Sequence, residues 1–147
     1  MGKSNLWESA MLGLLFKNVA VTLIGDSGGL RASATAGNLY LSLHTASPGE
    51  TGDQTTNEIG YTSYARQPVA RDGVEWTETG GIVTLAVEVS FPKGTGTGGT
   101  ATYVGIGTSI SGAGKLLYYG ELAPHIVCGD GITPIIPVSP TSTVTED

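Results

Sequence analysis

The chain has 147 residues, only 14% of which are charged, and its net charge is −6 at pH 7. This length fits one domain whose core needs no disulfide bonds. The 23 glycines and 7 prolines favour short strands joined by tight turns over a helical fold. With only seven lysines and arginines, the sequence excludes a basic surface, so neither nucleic acid nor a membrane is predicted as a direct partner.

The first segment predicts one short helix from about Asn5 to Lys17, with Ser4 as its N-cap. Apolar residues at three- and four-residue spacings predict one stripe along it, formed by Leu6, Trp7, Ala10, Met11, Leu14 and Leu15. Such a stripe covers a sheet or anchors a helix in the groove of a partner. The longer apolar stretch 10–25 is interrupted at Lys17, so each half is too short to span a bilayer, and Glu8 argues against an export signal.

Short strands are expected after the helix. The β-branched segment 19–24 predicts a strand that ends at a turn at 26–29, and the small residues at 31–37 predict a linker. Leu39, Leu41 and Leu43 alternate with other residues, which predicts a strand buried on one face. An acidic loop then leads to a second predicted strand at 59–66.

Further strands are expected at 73–78, 82–91, 101–106 and 116–122. The segment 82–91 has the steadiest alternation and predicts one central core strand. Prolines near the end favour an edge strand or an extended arm, and these are Pro124, Pro134, Pro137 and Pro140.

This inventory predicts an all-β fold with three parts. They are a short N-terminal amphipathic helix with an arm at 1–37, a β-sandwich or jelly-roll-like body at 38–132, and a Pro-rich strap at 133–147. A single closed barrel is the alternative.

No motif predicts a reaction centre. The run Gly94-Thr95-Gly96-Thr97-Gly98-Gly99 matches the spelling of a dinucleotide-binding loop, but a β-type segment follows where a helix is needed, so a strand-connecting loop is predicted. His44 and His125 lack metal-ligand spacing and are assigned structural roles.

Cys128 is the only cysteine, which excludes an internal disulfide and fits synthesis in the cytosol. A catalytic pair with His125 would also need an oxyanion donor, so a buried thiol beside the turn at 129–131 is preferred. The acidic loop with Glu50, Asp53 and Glu58 lacks EF-hand spacing, and a solvated or partner-facing loop is favoured over a calcium site. The chain is therefore predicted not to be an enzyme and to need no cofactor or metal.

Several stretches, taken together, indicate a resemblance to other proteins. They are 38–50 (NLYLSLHTASPGE), Asn57-Glu58, Tyr61, Tyr64-Ala65-Arg66, Phe91-Pro92, 105–107, 116–122 and 127–130. The set covers about two-thirds of the chain, and its first member is the most distinctive. It resembles a family of small tailed-bacteriophage virion proteins that are often labelled tail fibre proteins, with capsid decoration (cement) protein as the other assignment.

The resemblance implies a virion structural protein made in the host cytoplasm. A tail fibre usually has repeats or coiled-coil heptads, and the sequence has neither, so a capsid decoration protein is predicted. Its predicted partners are the major capsid protein and other copies of itself in a homo-oligomer. A tail fibre or tail-tip protein is the second hypothesis, and a receptor- or carbohydrate-binding module is the third. The predicted interface residues are Trp7, Met11, Leu14, Pro134, Ile135, Ile136 and Pro137.

Overall fold

The computed structural model describes residues 2–138 and 143–145. They form two compact units, each assembled from segments that are separated along the chain. Unit 1 combines Met1–Asn38, Ala70–Glu88 and Pro137–Asp147, and unit 2 combines Leu39–Val69 and Val89–Ile136. Neither unit coincides with one of the three predicted linear parts. Pro140 and the other strap residues at 139–142 and 146–147 lie outside the described residues.

One helix precedes nine strands in the described residues, so the predicted all-β body with a short N-terminal helix is confirmed. The elements are α1 (Asn5–Lys17), β1 (Asn38–His44), β2 (Gln67–Ala70), β3 (Trp76–Thr79), β4 (Ile82–Leu85), β5 (Val89–Ser90), β6 (Gly99–Gly107), β7 (Leu116–Cys128), β8 (Ile135–Ile136) and β9 (Thr143–Thr145). They form a four-stranded sheet in the order β2-β1-β6-β7, a three-stranded sheet β3-β4-β9 and a two-stranded sheet β5-β8.

Helix α1 begins and ends where the sequence predicts. The Ser4 hydroxyl accepts a hydrogen bond from the Trp7 backbone N–H at 3.3 Å, and Asn18 closes the helix in the left-handed conformation. The predicted apolar stripe is wrong as the face that packs on the sheet, because the buried residues are Leu12, Gly13 and Phe16. These residues lie against the β3–β4 hairpin, where the Phe16 ring meets Trp76 edge to face at 4.8 Å.

Arg71 fastens the end of α1 to the following loop. Its guanidinium donates to the carbonyl oxygens of Leu14 at 2.8 Å and Ala36 at 3.0 Å, and also to the carbonyl of Leu15. The last carbonyls of a helix have no partner within the helix, so Arg71 satisfies groups that would otherwise need water.

Strand β1 is buried on both faces at its end. Leu39, Leu41 and Leu43 are buried as predicted, but Ser42 and His44 are buried as well, so the prediction of burial on one face is wrong there. The acidic loop pairs with the edge of β1 there, since the Thr45 N–H bonds to the Asn57 carbonyl at 2.8 Å and the Ile59 N–H to that of Leu43 at 2.9 Å. On the second face, the Thr56 carbonyl of this loop lies 2.8 Å from His44 Nδ1.

Two predicted strands are absent from the described structure. The segment 59–66 contains a turn, in which Ser63 has φ 76° and the Tyr64 N–H bonds to the Tyr61 carbonyl. The following strand, β2, begins only at Gln67. The segment 19–24 makes a single antiparallel bridge from Val21 to Leu30. In both segments, backbone at positive φ breaks the extended conformation that a strand requires.

The segment 82–91 is two strands and not one. The apolar side chains at Val83, Leu85, Val89 and Phe91 are all buried, as the alternation predicts. The ladder is interrupted after Leu85, where the chain leaves the β3-β4-β9 sheet, and β5 pairs with β8 in unit 2. Strand β7 extends past Pro124 to Cys128 and is an edge strand, which agrees with the expectation for Pro124.

Candidate interaction surfaces

The acidic loop is folded on itself. The Asp53 carboxylate accepts hydrogen bonds from the Thr55 N–H at 2.8 Å and the Thr55 hydroxyl at 2.6 Å, and these bonds lower the pKa of Asp53. Gln54 is completely buried, and its Oε1 accepts from the Ser109 N–H at 2.9 Å. A Cβ placed on Gly107 would lie 2.1 Å from the Gln54 Cδ, so this glycine makes room for the amide. The loop is therefore pinned to the β6–β7 connection.

Glu58 belongs to a buried ion pair and is not a free acidic ligand. The Arg66 guanidinium donates to both Glu58 oxygens, Nε at 2.6 Å and Nη2 at 2.7 Å, and Nη1 donates to the Ser109 carbonyl at 3.0 Å. Their side chains are only 3% and 16% exposed. The Tyr64 hydroxyl donates to Glu58 and accepts from the Leu43 N–H. These hydrogen bonds, chiefly those with Glu58, raise the pKa of Arg66.

Ser42 and His44 have the spacing of a nucleophile–base pair but no access to a substrate. The Ser42 hydroxyl lies 2.8 Å from His44 Nε2, and His44 Nδ1 lies 2.8 Å from the Thr56 carbonyl. A carbonyl only accepts, so Nδ1 carries the proton and Nε2 accepts from Ser42. Both side chains are fully buried, and a Cβ on Gly105 would lie 2.6 Å from His44 Nε2. The pair holds β1 to the acidic loop.

This arrangement predicts a loss of stability in weak acid. Burial lowers the pKa of His44 below its ordinary value of 6.5, so the folded chain keeps it neutral while the unfolded chain takes up a proton. The unfolded state then binds more protons as the pH falls through about 6.5, and each unit of lowering contributes about 1.4 kcal/mol. We expect the urea midpoint to fall between about pH 7.5 and about pH 5.5.

The two histidines offer a matched control for that titration. In the His44→Gln variant the midpoint should depend much less on pH over the same range. The His125→Gln variant is the control, because it removes a half-exposed imidazole and leaves the buried His44 in place. A wild-type midpoint that stays constant over this range would contradict the assignment.

The glycine-rich run is a strand-connecting loop, as predicted. It leads into β6, and its backbone lies directly against residues 129–132, with the Gly94 N–H bonded to the Ile132 carbonyl and the Gly131 N–H to that of Gly94, both at 2.9 Å. Cys128 is a free, buried thiol next to this contact, and burial raises its pKa.

Among residues 2–138 and 143–145, no group of three or more His, Cys, Asp or Glu is placed to hold a metal ion. Within the same residues, no helix has the length and apolar character needed to cross a membrane.

The predicted interface residues of the helix lie on its outer side. Trp7 is 37% exposed, Met11 and Leu14 are half-buried, and Leu6 beside them is 82% exposed. All four belong to unit 1. Leu6 and Trp7 are the large apolar side chains of the helix that are exposed, and the interface role of Trp7, Met11 and Leu14 stays a prediction.

A loop at 21–30, of which the sequence predicted only the turn at 26–29, presents further apolar side chains in unit 1. Val21 and Leu30 exchange both backbone hydrogen bonds at 2.9 Å and close the loop, and Asp26 accepts from the N–H groups of Gly28 and Gly29. Leu23 is held at φ 67° with 92% of its surface exposed. A leucine in the left-handed region is strained, so the loop presents this side chain at a cost in free energy.

We call the large exposed apolar residues of the segment 2–30 the N-terminal apolar set. It comprises Leu6, Trp7, Val19, Leu23, Ile24 and Leu30.

The first residues of the strap, up to Ile136, belong to unit 2. Pro134 and Ile136 are buried, the Pro134 carbonyl accepts from the Phe91 N–H at 2.8 Å, and Ile136 pairs with Val89. Ile135 and Pro137 are exposed. The side chains of Pro134 and Ile136 are buried within the chain and those of Ile135 and Pro137 are at its surface, and the interface role of all four stays a prediction.

A comparison with protein families assigns the chain. The family model of the podophage GP4 fiber I protein gp80 matches residues 2–138. The chain belongs to this family. The resemblance predicted from the sequence is thereby confirmed, and the chain is a structural protein of the phage virion. Among curated proteins, the comparison found no match.

Proposed function

We propose that the chain is a fibre-type structural protein of the phage tail that attaches to a neighbouring virion protein through the N-terminal apolar set, with no catalytic activity of its own. The family to which the chain belongs is described as one of fibre proteins, which favours the tail over the head. The observation that carries the attachment is the exposure of large apolar side chains, above all Leu6 and Leu23. Large apolar side chains at the surface are candidates for a protein contact, because burial against a partner removes them from water.

Capsid decoration is the second candidate. It is favoured by the sequence, which contains no heptads or fibre repeats, and its partner would be the major capsid protein. Purified particles separated into heads and tails, each probed with an antibody against the chain, distinguish the two candidates. Recovery with tails supports the fibre role. Recovery with heads alone would reject it in favour of decoration.

Replacement of Trp7 tests the attachment surface. Buried tryptophans at interfaces contribute about 2 kcal/mol or more, so Trp7→Ala should lower incorporation into particles at least about tenfold. Its backbone bond to Ser4 remains, so the helix should persist in circular dichroism. Tyr119→Ala removes an aromatic ring of similar exposure from the edge strand β7 in unit 2 and is the control. Equal incorporation of the two variants would contradict the assignment of the surface.

An assay for the cleavage of host-surface polysaccharides tests the proposal that the chain has no catalytic activity. Host-surface polysaccharides incubated with the purified chain should remain intact, and binding to a glycan array should be absent. Saturable glycan binding would instead support the third hypothesis, a receptor-binding module.

A further inference from the structure

Strand β9 completes the sheet of unit 1 with a very short segment. It pairs with β4 in antiparallel register, Thr84 with Thr143, Val83 with Val144 and Ile82 with Thr145. Val144 is half-buried on the same face as the buried Val83, while Thr143 and Thr145 are exposed. Three residues therefore supply both the backbone pairing and one apolar contact.

The remainder of this sheet is the β3–β4 hairpin, which packs on α1 and whose β4 edge is free to pair with a third strand. The family model matches residues 2–138, so β3 and β4 lie inside the matched region and β9 lies outside it. Without β9, the outer edge of β4 would carry unpaired backbone groups next to the β-branched residues Ile82 and Val83. Such an edge recruits an extended segment.

The opposite edge of the sheet is protected. Glu78 on β3 shares the inward face with Trp76 and Val83 in the strand register, and its carboxylate accepts from the Gly81 N–H at 3.0 Å. An inward-pointing charge on an edge strand disfavours the addition of another strand. Strand docking is therefore directed to β4.

We propose that the outer edge of β4 is a strand-docking site that takes residues 143–145 from a second copy of the chain in the assembled virion. The same three residues make identical contacts with β4 whether they come from the same chain or from a neighbour. The balance between the two therefore depends on effective concentration, which is high where identical subunits are held side by side. This inference rests on the proposed role as a virion structural protein present in several copies.

The side chains on the outer face of the sheet are compatible with a strand from a second copy in place of β9. On the outer face of the sheet the register aligns Thr77, Thr79, Ile82, Thr84, Thr143 and Thr145. These side chains carry no charge, so a strand from a neighbouring copy meets no repulsion there. The Thr77 and Thr84 hydroxyls already bond at 2.6 Å, which shows how threonines pair across this face.

A cysteine pair measures where the strand docks. Thr84 and Thr143 are direct partners in the register, and directly opposed Cα atoms at about 4.5–5.5 Å can form a disulfide. The full-length variants Thr84→Cys and Thr143→Cys, both with Cys128→Ser, are refolded together at about 1 mM and oxidised. Exchange should produce a disulfide-linked dimer of the two different chains.

Thr77→Cys mixed with Thr143→Cys is the control for random collision. Thr77 lies on the same exposed face, but β4 separates it from β9, so its cysteine is too far away to be bridged. We expect at least about tenfold more mixed dimer from the Thr84 mixture than from the Thr77 mixture. Equal yields, together with a purely intramolecular bridge in the Thr84→Cys/Thr143→Cys double variant, would overturn the exchange. Because the assay uses purified chains, this result is independent of the head-or-tail location.

Discussion

Replacement of Arg66 by methionine should destabilise the chain by about 3–5 kcal/mol. The guanidinium is buried and makes two short bonds to Glu58 and one to the Ser109 carbonyl. Methionine fills most of the space but leaves a carboxylate inside the protein, which keeps only the Tyr64 hydroxyl as a hydrogen-bond partner among the described residues. The free energy of unfolding, obtained from urea denaturation, measures the loss.

The exposed ion pair of Asp26 and Arg31 is the matched control. Arg31 and Asp26 meet at 2.8 Å, a similar distance, but their side chains are 70% and 65% exposed. Water screens this pair, so Arg31→Met should cost less than about 1 kcal/mol. The double variant Glu58→Leu/Arg66→Met should recover part of the loss, because it removes the unpaired charge. Similar losses for Arg31→Met and Arg66→Met would contradict the buried role of the pair.

Replacement of Gly98 by alanine should be comparably damaging, at about 3 kcal/mol. A Cβ at this position would lie 1.9 Å from the Cys128 carbonyl oxygen and 2.4 Å from the Gly129 Cα. Both atoms belong to the backbone, so the loop must separate from residues 128–129 to admit a methyl group. The expected result is a lower melting temperature and a lower urea midpoint.

The neighbouring glycine separates this steric effect from the general effect of losing a glycine. A Cβ on Gly99 would have its nearest contact at 3.8 Å, with the Ile59 Cδ1. Gly99→Ala should therefore change the stability by no more than about 1 kcal/mol. Equal destabilisation by the two substitutions would mean that close backbone approach is not the reason for the glycines in this run.

Local signals in the sequence predicted several elements correctly. The start of α1 follows from its N-cap Ser4, and its extent follows from the spacing of the apolar residues within it. Strand β1 follows from the alternation of Leu39, Leu41 and Leu43. Both depend on neighbours within a few positions. The family resemblance also came from such short stretches, and the family match supports it.

Non-local contacts explain the errors. The face of α1 that is buried depends on the contact of Phe16 with Trp76, whereas the spacing of apolar residues along the helix predicted a different stripe. The segment 59–66 has strand-forming residues, but the Tyr61 hydroxyl bonds to the Pro92 carbonyl at 2.8 Å and the Tyr64 ring stacks near Phe91. These aromatic contacts favour a turn over a continued ladder.

The candidate surfaces were predicted only in part. The helical spacing of the apolar residues predicted Trp7 as an interface residue. The exposure of Leu23 was not predicted, because the segment 19–24 was expected to form a strand. The partners of Arg66 and Arg71 are carbonyls and carboxylates, and a sequence does not say which of these an arginine will meet. The docking edge of β4 depends on β9, which follows it by about sixty positions along the chain.

The sequence alone determined the secondary-structure class, the single helix with its cap and the membership of a phage virion family, because these depend on residues that are near one another in the chain. Only the tertiary structure decided which apolar residues remain exposed and which charges are paired. Burial and ion pairing are set by segments that meet after folding, and a one-dimensional pattern carries no distance between them.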